Sequence, residues 1–151
     1  MTSPRSGAPG AQLGREADEA RPIPGRYRQA GVVVCRGCCC GNQRRDPVTD
    51  HAGQLVRLHD LARARPAELT VRTSECLGPC AHANVVVVRP SPDGRRLGGR
   101  PVWFAFIAGT RVLSLLEDWL ADGGPGLAAV PDELDLHVIP APRPTRPNPA
   151  R

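Results

Sequence analysis

Apolar residues recur with two different spacings along the central part of the chain, and these spacings predict its strands and helices. Short β-branched runs at 31–34 and 85–88 predict buried strands. Apolar and polar residues alternate over 69–74, which predicts a half-buried strand. The apolar run 102–107 predicts a further strand that pairs antiparallel with the one before it, and a weak final strand is expected at 136–139.

Two segments show the three- and four-residue spacing of amphipathic helices. The first is expected to be capped by Thr49 or Asp50 and to end just before Pro66. The second is expected to be capped by Thr110 and to stop at Gly123. The apolar stripe of the first helix comprises Leu55, Leu58, Leu61 and Ala62, widened by Ala52 and Val56.

The order of these elements is strand, loop, helix, strand, loop, strand, strand and helix. Such an order predicts an α/β domain with a small mixed β-sheet packed by helices, and it also describes a thioredoxin-like domain. Both ends of the chain are rich in Pro and Gly and have no apolar period. We therefore expect disordered tails at 1–28 and 140–151 around a single folded domain at 29–139.

Charge and composition exclude several classes of protein. The net charge is +5 without any lysine, but the arginines form short pairs rather than a stripe, and only two Trp, two Phe and one Tyr are present. Nucleic-acid binding is therefore not expected, whereas an acidic protein partner would suit the charge.

No run of 18 apolar residues and no secretory signal occurs. These absences predict a cytoplasmic protein without membrane association, in which six cysteines indicate metal or redox chemistry rather than disulfides.

The six cysteines fall in two glycine-containing loops, each of which follows a predicted strand. The first loop holds Cys35 and the run 38–40, and the second holds Cys76 and Cys80. Two loops at one edge of a sheet can converge on a buried centre, and a [2Fe–2S] cluster takes four thiolates together with backbone N–H donors. Glycines allow the backbone to approach such a centre closely. The glycines in these loops are Gly37, Gly41 and Gly78.

The layout of the cysteines resembles that of a known family. Four residues separate Cys35 from Cys40, 35 separate Cys40 from Cys76, and three separate Cys76 from Cys80. This C-x4-C…C-x3-C pattern is similar to that of the thioredoxin-like [2Fe–2S] ferredoxins, including the small peripheral iron–sulfur subunit of respiratory complex I. The segment from Glu75 to Cys80, with the valines after it, looks like that family's E-C-L-G-x-C…P-V-V-x-V segment. The resemblance covers roughly residues 29–122.

The resemblance implies a [2Fe–2S] ferredoxin with Cys35, Cys40, Cys76 and Cys80 as ligands. Free-standing members often place the second ligand further along, where this chain has Val48 and Thr49. That ligand is therefore expected from the triplet, with Cys40 chosen by spacing, Cys39 second and Cys38 third. The segment 35–41 also resembles bacterial ferredoxin-domain proteins. Arg36 could add positive potential there, although an arginine in a loop is expected to be exposed.

The expected function is one-electron transfer between a redox protein donor and acceptor, without a substrate-turnover site. The family often dimerises, so the resemblance also allows a homodimer. Three alternatives stay open: a cluster-based sensor or assembly partner, a structural zinc site with four cysteine ligands, and a thiol–disulfide protein that uses Cys35 and Cys38. In thioredoxins the C-x-x-C motif opens a helix, which Gly41 and Pro47 oppose here.

Overall fold

The computed structural model describes residues 29–37 and 39–143, with the backbone alone for Cys80. Within these residues the fold is mixed α/β, built on an open five-stranded sheet in the order β2-β1-β3-β4-β5. The prediction of a small mixed sheet packed by helices is confirmed. The strands are β1 (Ala30–Cys35), β2 (Leu69–Ser74), β3 (Val86–Arg89), β4 (Val102–Phe104) and β5 (Val138–Ile139).

In the described part of the chain, four α-helices and one short 3-10 helix connect the strands. The two long helices follow the predicted apolar spacing, and the two short ones cover four and five residues. The 3-10 helix, Cys80–His82, lies in the second cysteine loop. The α-helices are α1 (His51–Ala64), α2 (Pro92–Arg96), α3 (Thr110–Ala121) and α4 (Asp132–Asp135).

The central strand β1 determines where the two cysteine loops lie. It pairs parallel with β2, so that Cys35 stands opposite Ser74, and antiparallel with β3. Because parallel strands end at the same edge of a sheet, the chain leaves β1 and β2 side by side. The Arg36 N–H donates to Ser74 O at 2.8 Å and extends the ladder into the loops. The predicted convergence of the two loop backbones at one edge is confirmed.

The core lies between one face of the sheet and the two long helices. Phe104 and Trp119 meet edge to face with ring centroids 5.5 Å apart, and the Trp119 indole N–H donates to Ala128 O at 2.9 Å. At the rim, the Arg57 guanidinium of α1 forms a two-point ion pair with Glu117 of α3. Together these contacts hold both helices on the sheet. The completely buried apolar residues include Leu58, Leu116, Phe104, Ile107 and Leu134.

The N-cap predicted for α1 is confirmed, whereas the N-cap predicted for α3 is wrong. Asp50 caps α1 as expected, since its carboxylate accepts from the Gly53 N–H at 2.9 Å. Thr110 was the wrong cap for α3, because Gly109 occupies the cap position with φ +84° and Thr110 is already the first helical residue. A residue without a Cβ adopts that backbone angle at little steric cost, which explains the choice of glycine.

The apolar stripe of α1 is narrower than its sequence predicts. Ala52 and Val56 are exposed, so the prediction that they widen the stripe was wrong. The buried face is instead shared by Leu58 with two polar residues, His51 and Gln54. Burial of polar side chains is tolerated where they find hydrogen-bond partners, and the Gln54 amide donates to Ile107 O at 2.8 Å. This polar part of the helix faces the first cysteine loop.

Two other expectations meet the structure only in part. The strand expected at 102–107 ends at Phe104, because Phe106 has φ +54° and the chain turns there. Residues 140–143 are exposed and outside any element, whereas 1–28 and 144–151 lie outside the described residues, so the prediction of disordered tails stays a prediction there.

None of the helices in the described ranges combines the length and apolar character that a bilayer crossing requires.

Candidate metal centre

Cys35 is the last residue of β1 and its side chain is buried. Its backbone N–H donates to Val85 O at 3.0 Å, which continues the pairing between β1 and the start of β3. Its Sγ lies 4.0 Å from Glu75 O in the second cysteine loop. The strand therefore delivers this thiol, in a fixed position, to the edge where both loops meet.

Cys40 lies beside Cys35 and is equally buried. The Val85 N–H donates to Cys40 Sγ at 3.5 Å, so the residue that receives the Cys35 N–H also supplies a donor to sulfur. Burial raises the pKa of the Cys40 thiol to about 11; the hydrogen bond from Val85 opposes this shift and the neighbouring Cys35 thiol adds to it. The two sulfurs share one small apolar cluster with Val85.

The first loop turns back on itself to bring Cys40 close to Cys35. The Gly37 N–H donates to Cys40 O at 3.1 Å, and the Gly41 N–H donates to Asn84 Oδ1 at 2.9 Å. Gly41 has φ +70°, a left-handed angle that glycine adopts readily. Apart from position 38, residues 36–50 form turns and bends without a helix, as Gly41 and Pro47 predict.

The second loop is packed directly against the first. A Cβ on Gly37 would lie 1.6 Å from Glu75 O, so only glycine allows the two backbones to approach this closely. Leu77, which follows Cys76, packs on the cluster formed by Cys35, Cys40 and Val85. The loop that carries the second pair of cysteines therefore contacts the first pair.

Arg36 is partly buried, which corrects the expectation that it is exposed. Its Nη1 donates to Cys35 O at 2.9 Å and its Nη2 donates to His51 O at 3.3 Å. Nη2 also donates to Gln54 Oε1. Burial lowers the pKa of Arg36, and the nearby thiols of Cys40 and Cys35 act in the opposite direction. The buried polar residues of α1 therefore hold the Arg36 side chain in place through hydrogen bonds.

The structure brings together only part of the predicted ligand set. Cys35 and Cys40 are adjacent, whereas the Cys76 side chain is exposed. Cys39 is partly exposed, residue 38 lies outside the described residues, and Cys80 is described by its backbone alone. Among the side chains that are described, no three cysteine, histidine, aspartate or glutamate residues gather closely enough to hold a metal ion.

Sequence reasoning missed three residues around the thiol pair. Trp103 lies within the predicted strand 102–107 and packs, partly exposed, against the cluster of Cys35, Cys40 and Val85. Asn84 is buried and accepts from the first loop through its side chain. Val85 was predicted only as a strand residue. The sequence signal for Asn84 is its position directly before the β-branched run 85–88. A residue next to a buried strand is expected to be buried as well, and a buried amide needs a hydrogen-bond partner.

The chemistry of these residues fits a thiolate-bound metal centre. Two buried thiols lie here with a backbone N–H directed at sulfur and a partly buried guanidinium. The N–H and the guanidinium would stabilise metal-bound thiolates, against the burial that raises the pKa of the Cys40 thiol. Arg36 Nε is buried and has no hydrogen-bond partner among the described residues, which leaves one donor available to a bound group. A raised pKa at Cys40 opposes its use as a thiolate nucleophile in the metal-free protein.

A separate cleft of about 670 Å³ lies at the N-terminal ends of α1 and α3. Gln54 lines this cleft and also contacts Arg36, so the cleft is separated from the thiol pair by these two side chains. The cleft lining includes Val48, Val56, Leu113 and Gly109 but no cysteine. The cleft lining therefore contains none of the predicted ligand residues.

Comparison of the chain with protein-family models, with curated proteins and with solved structures gives no match.

Proposed function

We propose that the chain carries one [2Fe–2S] cluster on Cys35, Cys40, Cys76 and Cys80 and transfers single electrons between protein partners. The observation that carries this proposal is the packing of the second cysteine loop on the first. Leu77 packs on the cluster of Cys35, Cys40 and Val85, and both Cys35 Sγ and Gly37 lie against Glu75 O. The four thiols of the predicted set are thereby carried on two loops that touch each other.

The fold supports the resemblance to thioredoxin-like ferredoxins. A parallel β1-α1-β2 unit is followed by the antiparallel strands β3 and β4 and then by α3. This order is the one expected of a thioredoxin-like domain, and the family's cysteine pattern falls on its two loops. We accordingly propose that the domain is a thioredoxin-like ferredoxin.

The residues of this chain would hold and tune the bound group. When bound, a [2Fe–2S] cluster accepts and releases one electron without making or breaking bonds in a substrate. The Val85 N–H donates towards a cysteine sulfur, and such hydrogen bonds raise the potential by stabilising the more negative reduced state. Trp103 and Leu77 cover the thiol pair and limit the access of water.

The proposal is tested by anaerobic purification of the full chain, followed by an absorption spectrum and by iron and sulfide analysis. We expect a coloured protein with about two iron and two sulfide ions per chain, and a reversible one-electron reduction. A colourless protein loaded with zinc would overturn the proposal in favour of a structural zinc site. Reversible reduction combined with electron transfer to a reductase separates a carrier from a sensor, whose partner binding would instead change on cluster loss.

A further inference from the structure

Arg36 is held in one position by acceptors on three sides. Nη1 donates to the carbonyl of Cys35, and Nη2 donates to the carbonyl of His51 and to Gln54 Oε1. The Gln54 amide is oriented in turn, because its nitrogen donates to Ile107 O at 2.8 Å and only its oxygen faces the arginine. A guanidinium restrained in this way is a fixed positive charge and not a mobile surface group.

The first cysteine loop leaves space for the Arg36 side chain at Gly41. A Cβ on Gly41 would lie 2.3 Å from Arg36 Cδ, so the glycine leaves the space that the arginine stem occupies. The Gly41 backbone is fixed from the other side by Asn84, through a 2.9 Å hydrogen bond. The charged head is consequently retained at the Cys35 carbonyl and is partly buried.

One donor of this guanidinium has no acceptor among the described residues. Arg36 Nε is buried and makes no hydrogen bond, whereas both terminal nitrogens are bonded. A buried donor without an acceptor is energetically unfavourable, because it has lost its hydrogen bond to water. The side chain that carries this donor lies next to the backbone of both predicted ligands in the first loop: Nη1 donates to Cys35 O at 2.9 Å, and the stem passes Gly41, the residue after Cys40. The unused donor therefore belongs to a cation at the Cys35–Cys40 edge.

We infer that Arg36 is a partly buried countercharge and hydrogen-bond donor of the iron–sulfur centre, and that it raises the reduction potential of that centre. This inference rests on the proposed function. Four thiolates and two sulfides leave a [2Fe–2S] centre with net negative charge, and reduction adds one more negative charge. A fixed positive charge therefore stabilises the reduced form more than the oxidised form. Arg36 Nε supplies a donor to sulfur in addition to the Val85 N–H.

A purely structural role for Arg36 makes a different prediction about the potential. An arginine that only ties the first loop to α1 would change the stability of the protein when replaced, but it would leave the potential of a retained cluster unchanged. The potential and the reduced fraction at a fixed applied potential are therefore the informative readouts. Arg44 provides a matched control, since it is an exposed arginine in the same loop.

The experiment compares the wild type with Arg36→Gln and Arg44→Gln by spectroelectrochemistry of the holoprotein. In Arg36→Gln we expect the reduced-to-oxidised ratio at a fixed potential to fall about tenfold, which for one electron is a lowering of about 59 mV. Arg44→Gln should match the wild type. Equal potentials in Arg36→Gln and Arg44→Gln would overturn the inference while leaving the proposed function intact. A wild-type protein without a [2Fe–2S] cluster would overturn both.

Two further variants decide the case in which Arg36→Gln does not retain a cluster. Arg36→Lys keeps the charge but lacks the Nε donor, and we expect it to restore loading with a potential below that of the wild type. Gln54→Met removes the acceptor that orients the guanidinium, and it should also lower the potential. Failure of Arg36→Lys to restore loading, together with an unchanged potential in Gln54→Met, would overturn the inference.

Discussion

At the scale of single residues, the choice among the three adjacent cysteines depends on burial. Cys40 is buried beside Cys35 and receives a hydrogen bond from Val85 at its sulfur, whereas Cys39 is partly exposed. A ligand must lie where the other sulfurs and the N–H donors are, and Cys40 meets both conditions. Of the two described members of the triplet, Cys40 is therefore the one that lies beside Cys35, and its role as the second ligand stays a prediction.

Single serine substitutions at positions 38, 39 and 40 test this choice. Serine keeps the shape of cysteine but is a much poorer ligand for iron, so Cys40→Ser should lose most of its iron and its visible absorption. Cys39→Ser and Cys38→Ser are expected to keep both. Iron analysis of anaerobically purified variants is the measurement. Full iron content in Cys40→Ser would show that another member of the triplet is the second ligand.

The pKa of Cys40 predicts how its reactivity depends on pH in the metal-free protein. Because burial raises the pKa from the ordinary 9.0 to about 11, the folded state favours the thiol, and the thiolate forms only at higher pH. Alkylation of Cys40 should therefore accelerate about tenfold per pH unit from pH 8 to pH 10. Peptide mass spectrometry after timed iodoacetamide treatment measures the rate. In urea, where the chain is unfolded, the alkylation rate should stop increasing near pH 9. The same pH profile in the folded protein would contradict the raised pKa of Cys40.

At the scale of secondary-structure elements, the parallel pairing of β1 with β2 decides the site. Their C-terminal ends lie side by side, with Cys35 opposite Ser74, and the loops that leave them are in contact from the first residue onwards. Gly37 is the closest point of that contact. The pairing of β1 with β2 therefore brings the two loops together, and Gly37 allows their backbones to pack closely.

Gly37→Ala tests whether the contact between the loops is needed for metal binding. A Cβ at this position would lie 1.6 Å from Glu75 O, so one backbone has to move. We expect a loss of stability of about 1–3 kcal/mol and a protein that has lost most of its iron. Thermal unfolding and iron analysis are the measurements.

Gly31→Ala in β1 is the matched control for that substitution. A Cβ on Gly31 would meet its nearest neighbours, Arg89 and Thr70, at 3.8 Å, which is ordinary van der Waals contact. We expect this variant to keep its cluster and its stability. If Gly37→Ala behaved in the same way, close approach of the two loops would not be required for the site.

At the scale of the whole molecule, one core supports the sheet and holds the site at its edge. The principal core comprises residues of the sheet and of both long helices, whereas the thiol pair belongs to a smaller separate cluster with Val85. The polar residues His51 and Gln54 of α1 lie between these two regions and contact Arg36. The principal core and the proposed metal site therefore use different sets of side chains.

A pair of leucine substitutions tests this separation. Leu116 in α3 is completely buried, and Leu116→Ala should cost about 2–5 kcal/mol because it leaves a cavity in the core. Leu136 is 83% exposed, and Leu136→Ala should stay within about 0.5 kcal/mol of the wild type. Urea unfolding measures both. At low temperature, both variants should still hold the full complement of iron; iron loss in folded Leu116→Ala would contradict the separation.

The chain determines its elements by local rules that can be applied without a structure. The β-branched runs predict β1 and β3, the apolar spacing predicts α1 and α3, and Asp50 predicts the start of α1. The assignment of the cysteines to two loops after two strands also follows from sequence order. These features are predictable because each depends on residues close together in the chain.

The tertiary structure decided what depends on residues that are distant in the chain. From the sequence, Arg36 is expected to be exposed in a loop, but in the structure it is hydrogen-bonded to His51 and Gln54. Trp103 is expected only as part of a strand, but β4 places it against the cluster that contains the thiol pair. Gly37 is needed because of Glu75, 38 positions further along. Burial and close approach arise from the packing of separate segments, so sequence periodicity predicts which residues form an element but not which distant groups they meet.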